Sequence, residues 1–158
     1  MRGVIIATVG GLVAASTFAV TPHSTADAGV PPGLGQVIEV VAEEADDPVL
    51  DLGTAGFGEG DQLVIADVLT VGGKPVGSSA GTCQVVLVDG AKFTVHCVTT
   101  LALPEGQITL QGLLAVGAAD PFVAAVTGGT GAYRSAHGEA RITPVDDDTE
   151  RYRLLIVR

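Results

Sequence analysis

The sequence predicts an all-β protein, an eight-stranded antiparallel β-barrel, and three observations carry that expectation. Eight runs of apolar or alternating residues are separated by short stretches rich in Gly, Pro and Asp. No stretch between them repeats apolar residues at helical spacing, so parallel βαβ units do not fit. The composition, 47% hydrophobic with 22 glycines and no Trp, favours short strands joined by tight turns over a helical bundle. Closing these strands into a cylinder removes the exposed edges that a sandwich would have to protect. At 158 residues the chain is sized for one domain with a real core.

Met1–Ala28 carries Arg2, then an apolar stretch from Val4 to Val20, and ends in Ala26-Asp27-Ala28, a small-x-small cleavage pattern. This reads as a secretory signal peptide cleaved near Ala28, so a secreted protein is expected. Gly10, Gly11, Ser16 and Thr17 interrupt the apolar part and fit a processed leader better than a permanent span. Residues 29–35, with Pro31 and Pro32, read as a flexible arm, and residues 36–158 as the barrel domain.

The first strand, Gln36–Glu43, places Val37, Glu39 and Val41 on one face and Ile38, Val40 and Ala42 on the other. Both faces are largely apolar, which suggests a strand covered on each side and makes Glu39 a candidate for burial. Glu44, Asp46 and Asp47 end it, and Pro48 blocks its continuation. Val49–Gly60 is irregular, with four glycines and Phe57, and a loop of that length is a candidate lid over a barrel mouth.

The remaining strands are expected at Asp61–Val71, Gly81–Val88, Lys92–Leu103, Gln107–Val116, Pro121–Thr127, Tyr133–Thr143 and Arg151–Val157. Their separators are turn material: Gly72-Gly73-Lys74-Pro75, Asp89-Gly90, Pro104-Glu105-Gly106, Ala118-Ala119-Asp120-Pro121 and Asp146-Asp147-Asp148. Pro121–Ile142 is the most informative stretch. An apolar run meets a turn containing Gly128, Gly129 and Gly131, and the chain returns with Ala136, Gly138, Ala140 and Ile142 on one face. A face of such small residues leaves room for something bulky, either a ligand or a neighbouring side chain.

Cys83 and Cys97 flank the Asp89-Gly90 turn. A three-residue loop would put them opposite each other and allow a disulfide between adjacent strands; a two-residue loop would shift the pairing by one and leave two buried thiols. The three histidines are scattered, and no Cys/His spacing resembles a zinc site. The formal net charge of −10 argues against nucleic acid and against anionic membranes, and suits a soluble acidic exterior.

In order and spacing these pieces resemble the allene oxide cyclase and dirigent superfamily, over roughly Gln36 to Val157. The marks are Gly60-Asp61 opening a strand, Val76-Gly77-x-x-Ala80-Gly81-x-Cys83, Gly106-Gln107-Ile108-x-x-Gln111-Gly112, and Thr127-Gly128-Gly129-Thr130-Gly131-x-Tyr133 followed by Gly138. The resemblance implies an eight-stranded antiparallel barrel, usually trimeric, with a mainly apolar cavity and no metal or organic cofactor. It implies a small apolar molecule as partner. In cyclases an epoxy-fatty-acid derivative closes to a cyclopentenone; in dirigent proteins phenoxy radicals made by a separate oxidase are steered in their coupling.

Carried over residue by residue, the cyclase's catalytic Glu looks like Glu39, its proline after the first strand like Pro48, and its cavity cysteine like Cys83. Its two cavity asparagines fall at Val41 and Asp67, in a chain with no asparagine, and its cavity tyrosine falls at Leu114. The groups that hold the substrate oxygen in plant cyclases thus have no counterpart at these positions.

Alternation puts Leu63, Ile65, Asp67 and Leu69 on one face, and if that face is the lumen, Asp67 joins Glu39 in an apolar cavity. Two carboxyls in one desolvated space do not both ionise cheaply, so such a pair could act as general acid and base. Alternatively one faces solvent, or Arg141, Arg151 or Arg153 neutralises them. Tyr133 is placed either to reach the cavity mouth or to pack the barrel end. The Gly-rich turn lacks a following Lys-Ser/Thr and a helix, so it is no phosphate loop, and the serines have no elbow-like sequence or histidine partner for a triad. Three functions remain: a barrel that orients an oxygenated small molecule for stereoselective cyclisation or coupling, a non-catalytic carrier of a hydrophobic metabolite, and a filled structural barrel.

Overall fold

The computed structural model describes residues 35–45, 48–53, 55–116 and 121–157. The leader, the arm up to residue 34 and the Ala118–Asp120 part of one separator lie outside them. The strands are β1 (Gly35–Glu44), β2 (Val49–Leu50), β3 (Gln62–Val71), β4 (Lys74–Asp89), β5 (Lys92–Leu103), β6 (Gly106–Val116), β7 (Phe122–Gly129), β8 (His137–Asp146) and β9 (Thr149–Val157). They form one antiparallel sheet in the order β1-β9-β8-β7-β6-β5-β4-β3-β2, and β1 pairs also with β3, which closes eight long strands into a barrel. β1 and β2 share the edge of β3: Val41–Glu44 pair with Thr70–Asp67, and Val49–Leu50 with Leu63–Gln62.

The sequence places the start of its third strand at Gly81, but the corresponding β4 begins at Lys74. The reason is the turn, where Gly72 and Gly73 both adopt positive φ, 59° and 72°. Two such residues reverse the chain alone, so Lys74 and Pro75 already pair with Val71 and Thr70. Pro75 is accommodated beside the register irregularity at Leu69/Thr70.

The β4–β5 turn is likewise short, with Asp89 opposite Lys92. A register shift between Val85 and Leu87 inserts one extra residue in β4, and this bulge brings Cys83 directly opposite Cys97. The two are joined in a disulfide. The two-residue loop therefore coexists with the bond because the bulge restores the register.

The stretch from Pro121 to Ile142 folds back as expected, but β8 starts at His137 rather than Tyr133. Gly131–Tyr133 forms a 3-10 turn, and the Tyr133 and Ala136 amides donate to the Thr130 and Tyr133 carbonyls. Gly129 is required by close approach, because a Cβ there would lie 2.3 Å from the Gln107 carbonyl oxygen.

Alternation assigns the inside of the barrel. One half is packed solid by Leu69, Leu101, Ile108, Leu154 and Ile156, all fully buried. Tyr133 stoppers this end, itself buried, with its hydroxyl 3.3 Å from Glu105 Oε2. The other half is not filled.

Candidate functional site

The unfilled half encloses a cavity of about 400 Å³. Its walls are mostly apolar: Leu63 and Ile65 of β3, Val95 of β5, Leu110 and Leu114 of β6, and Ile142 of β8. The disulfide forms part of the wall, since Cys83 and Cys97 both line it. Leu and Val walls reward an apolar ligand with roughly 25 cal/mol for each Å² removed from water.

One polar pair stands out in this lining. Tyr152 and Glu150 both face the cavity from β9, and the Tyr152 hydroxyl donates to Glu150 Oε2 at 3.1 Å. Their placement follows from the period of the strand: Glu150, Tyr152, Leu154 and Ile156 share one side, and the last two are in the core. Tyr152 is buried and Glu150 half-buried. The buried Thr99 also lines the cavity. Sequence reading missed the pair because it began the last strand at Arg151. The alternation of Glu150 and Tyr152 with Leu154 and Ile156 was the available signal.

The residues singled out by resemblance are dispersed. Glu39 points outward, because Ile38, Val40 and Ala42 occupy the inner side of β1. Its side chain is 60% exposed and pairs with Arg153 Nε at 3.2 Å, so it is neither buried nor in the cavity. Asp67 does lie on the inner side of β3, where it accepts a hydrogen bond from the buried Ser79 hydroxyl, but it does not bound the cavity. Glu39 and Asp67 thus do not form an acid–base pair. Pro48 is exposed and its carbonyl accepts from the Val64 amide, away from the cavity lining. Cys83 lines the cavity as a half-cystine and offers no thiol. Leu114 lines it as an apolar wall, while Tyr133 is at the stoppered end.

The loop from Val49 to Gly60 is tied down rather than draped over the mouth. Asp61, 1% exposed, accepts the Leu52 amide at 2.9 Å and the Gly58 amide at 2.7 Å. Asp51 accepts from Gly56 N at 2.9 Å, and the Phe57 ring meets Phe93 edge-on with centroids 4.8 Å apart. None of the loop's described residues bounds the cavity. Among the described residues no group of three or more His, Cys, Asp or Glu could hold a metal ion.

Fold and site define a class: a closed antiparallel barrel, stoppered at one end and holding an apolar pocket with a single hydrogen-bonded Tyr–Glu pair in the other. Residues 37–157 match the model of the allene oxide cyclase barrel like domain, and the chain belongs to that family. Among solved structures, a pyocyanin demethylase is 30% identical, covering 77% of this chain and 100% of that one, with a TM-score of 0.71. A pterocarpan synthase dirigent protein is 19% identical over 85% of this chain and 95% of its own, with a TM-score of 0.61. A Diels Alderase from Streptomyces koyangensis is 16% identical over 76% of this chain and 63% of its own, with a TM-score of 0.64. The last two likenesses speak for the fold alone. No curated protein matches the sequence.

Proposed function

We propose that the barrel binds an apolar, oxygen-bearing small molecule and directs its stereoselective cyclisation or coupling. The observation that carries this reading is the Tyr152–Glu150 pair set in a mostly apolar pocket. Apolar walls hold the carbon skeleton in one folded shape, which supplies orientation. A hydroxyl or carbonyl of the ligand would find its hydrogen-bonding partner at Tyr152 or Glu150, and Glu150 would take or return the proton that moves as the ring closes. Asp67 remains in the proposal as a polar group behind the wall. Coupling of radicals would in addition need a separate oxidase.

The open volume favours a ligand over a filled structural barrel. Catalysis and mere carriage are separated by Glu150→Gln and Tyr152→Phe. A catalytic barrel keeps ligand affinity within about tenfold while turnover falls by about 10²–10⁴. A carrier shows no turnover to lose. Native mass spectrometry of the protein exposed to an organic extract of the producing cells would identify the ligand.

A second reading rests on the 30% identity to a pyocyanin demethylase that this chain covers over its full length. On that reading pyocyanin or a similar compound is the ligand. Incubation with pyocyanin followed by mass spectrometry tests it: loss of a methyl group supports it, and unaltered pyocyanin sinks it.

A further inference from the structure

The cavity carries charge of one sign only. Among the described residues that bound it, Glu150 is the one carboxylate, and no Lys, Arg or His accompanies it. The Tyr152 hydroxyl has a single proton and directs it to Glu150 Oε2 at 3.1 Å. With that proton engaged, the pair offers a ligand the lone pairs of a carboxylate and a phenol oxygen, which accept hydrogen bonds and do not donate them. The other polar side chains of the lining are neutral. Thr99 brings a hydroxyl, and the Gln111 amide nitrogen is 2.8 Å from Nε2 of His96, which alternation puts on the outer face of β5.

The basic side chains of this region point the other way. Arg151 and Arg153 alternate with Glu150, Tyr152 and Leu154 and so lie outside β9, and Arg141 lies outside β8 opposite Arg153. The end of the barrel that holds the cavity repeats the sign. Its described connections carry Glu59 before β3, Asp89 at the β4–β5 turn, and Asp146, Asp147 and Asp148 at the β8–β9 turn. Against these stands Lys92, which faces Asp89 across its turn.

We propose that the pocket selects its ligand by charge: it takes a neutral or cationic molecule with an N–H or O–H donor for the Tyr152–Glu150 pair, and it rejects carboxylates. The inference narrows the function proposed above and rests on it for where the ligand sits. An anion taken out of water needs a cation or several donors beside it, and this lining supplies no cation. Near Glu150 it would meet like charge in a site of low dielectric, where the repulsion is several times that in water. An ammonium in the same place gains the attraction and finds acceptors for its protons. Farther out, a net charge of −10 repels anions and draws in cations. On this ground a fatty-acid derivative of the kind the cyclases close is disfavoured here.

The test compares three probes that share one apolar body: matched isomers of naphthylmethylamine, naphthylmethanol and naphthoic acid, titrated calorimetrically at neutral pH and low salt. The amine is then protonated and the acid ionised. Amine and alcohol should bind, and the acid should bind at least about a hundredfold more weakly than the amine. Glu150→Gln removes the charge at nearly constant shape, so amine and acid should come within about tenfold of each other while the alcohol keeps its affinity within about tenfold. Glu39→Gln, which removes an acid from the outer face, should leave the hundredfold gap in place. A smaller gap in the wild type, or one that persists in Glu150→Gln, would overturn the proposal and leave the function proposed above standing. Binding by none of the three would overturn both.

Discussion

Cys83 and Cys97 face each other across β4 and β5 because Val86 is one residue more than the ladder needs. The bond closes a loop of sequence separation 14 and lies in the cavity wall. Replacing both cysteines with Ser should cost about 3 kcal/mol of stability, read from urea denaturation. Deleting Val86 should leave a regular ladder with Asp89 still opposite Lys92 and Cys83 still opposite Cys97, so thiol titration of the unfolded protein should find no free cysteine, as in the wild type. Inserting one residue into the Gly90–Ala91 turn without touching the bulge should instead offset the pair and expose two.

Glu39 and Arg153 form an ion pair exposed to water, which is worth at most about 1 kcal/mol. Glu39→Gln should therefore alter stability by about 0.5 kcal/mol or less and leave ligand binding and turnover intact. A large loss of turnover in this variant would move the chemistry to the outside of β1 and overturn the assignment to Glu150 and Tyr152.

Asp61 is the anchor of the loop that follows β2. With its carboxylate removed in Asp61→Ala, the Leu52 and Gly58 amides lose their acceptor, at a cost of about 2–4 kcal/mol. Limited proteolysis should then cut between Asp51 and Gly60 far faster than in the wild type, while Asp61→Asn should show a smaller effect.

The leader can be checked directly. Expression in a secreting host should yield an extracellular protein whose intact mass and first residues place its start near Gly29. A full-length cell-associated product would refute the expectation of secretion.

How far the sequence could be read depended on what each feature obeys. Strand number and order follow from alternation and turn chemistry, which are local, so the barrel and most strand boundaries were legible. The early start of β4 was hidden because Lys74 and Pro75 look like turn residues unless Gly72 and Gly73 complete the turn by themselves. The Cys83–Cys97 pairing was undecidable because loop length and bulge shift the register by equal amounts in opposite senses, and Val86 carries no mark of its extra place. Glu39 was misjudged because β1 is apolar on both sides, and only the closed barrel says which side faces in. Glu150 and Tyr152 were legible in principle, from their alternation with Leu154 and Ile156.

With Tyr133 corking one end, the molecule is a cup and not a pipe. Nothing passes through the corked end, so a finished product must vacate the same pocket that the next substrate enters. Turnover should slow as product accumulates, in direct competition with fresh substrate.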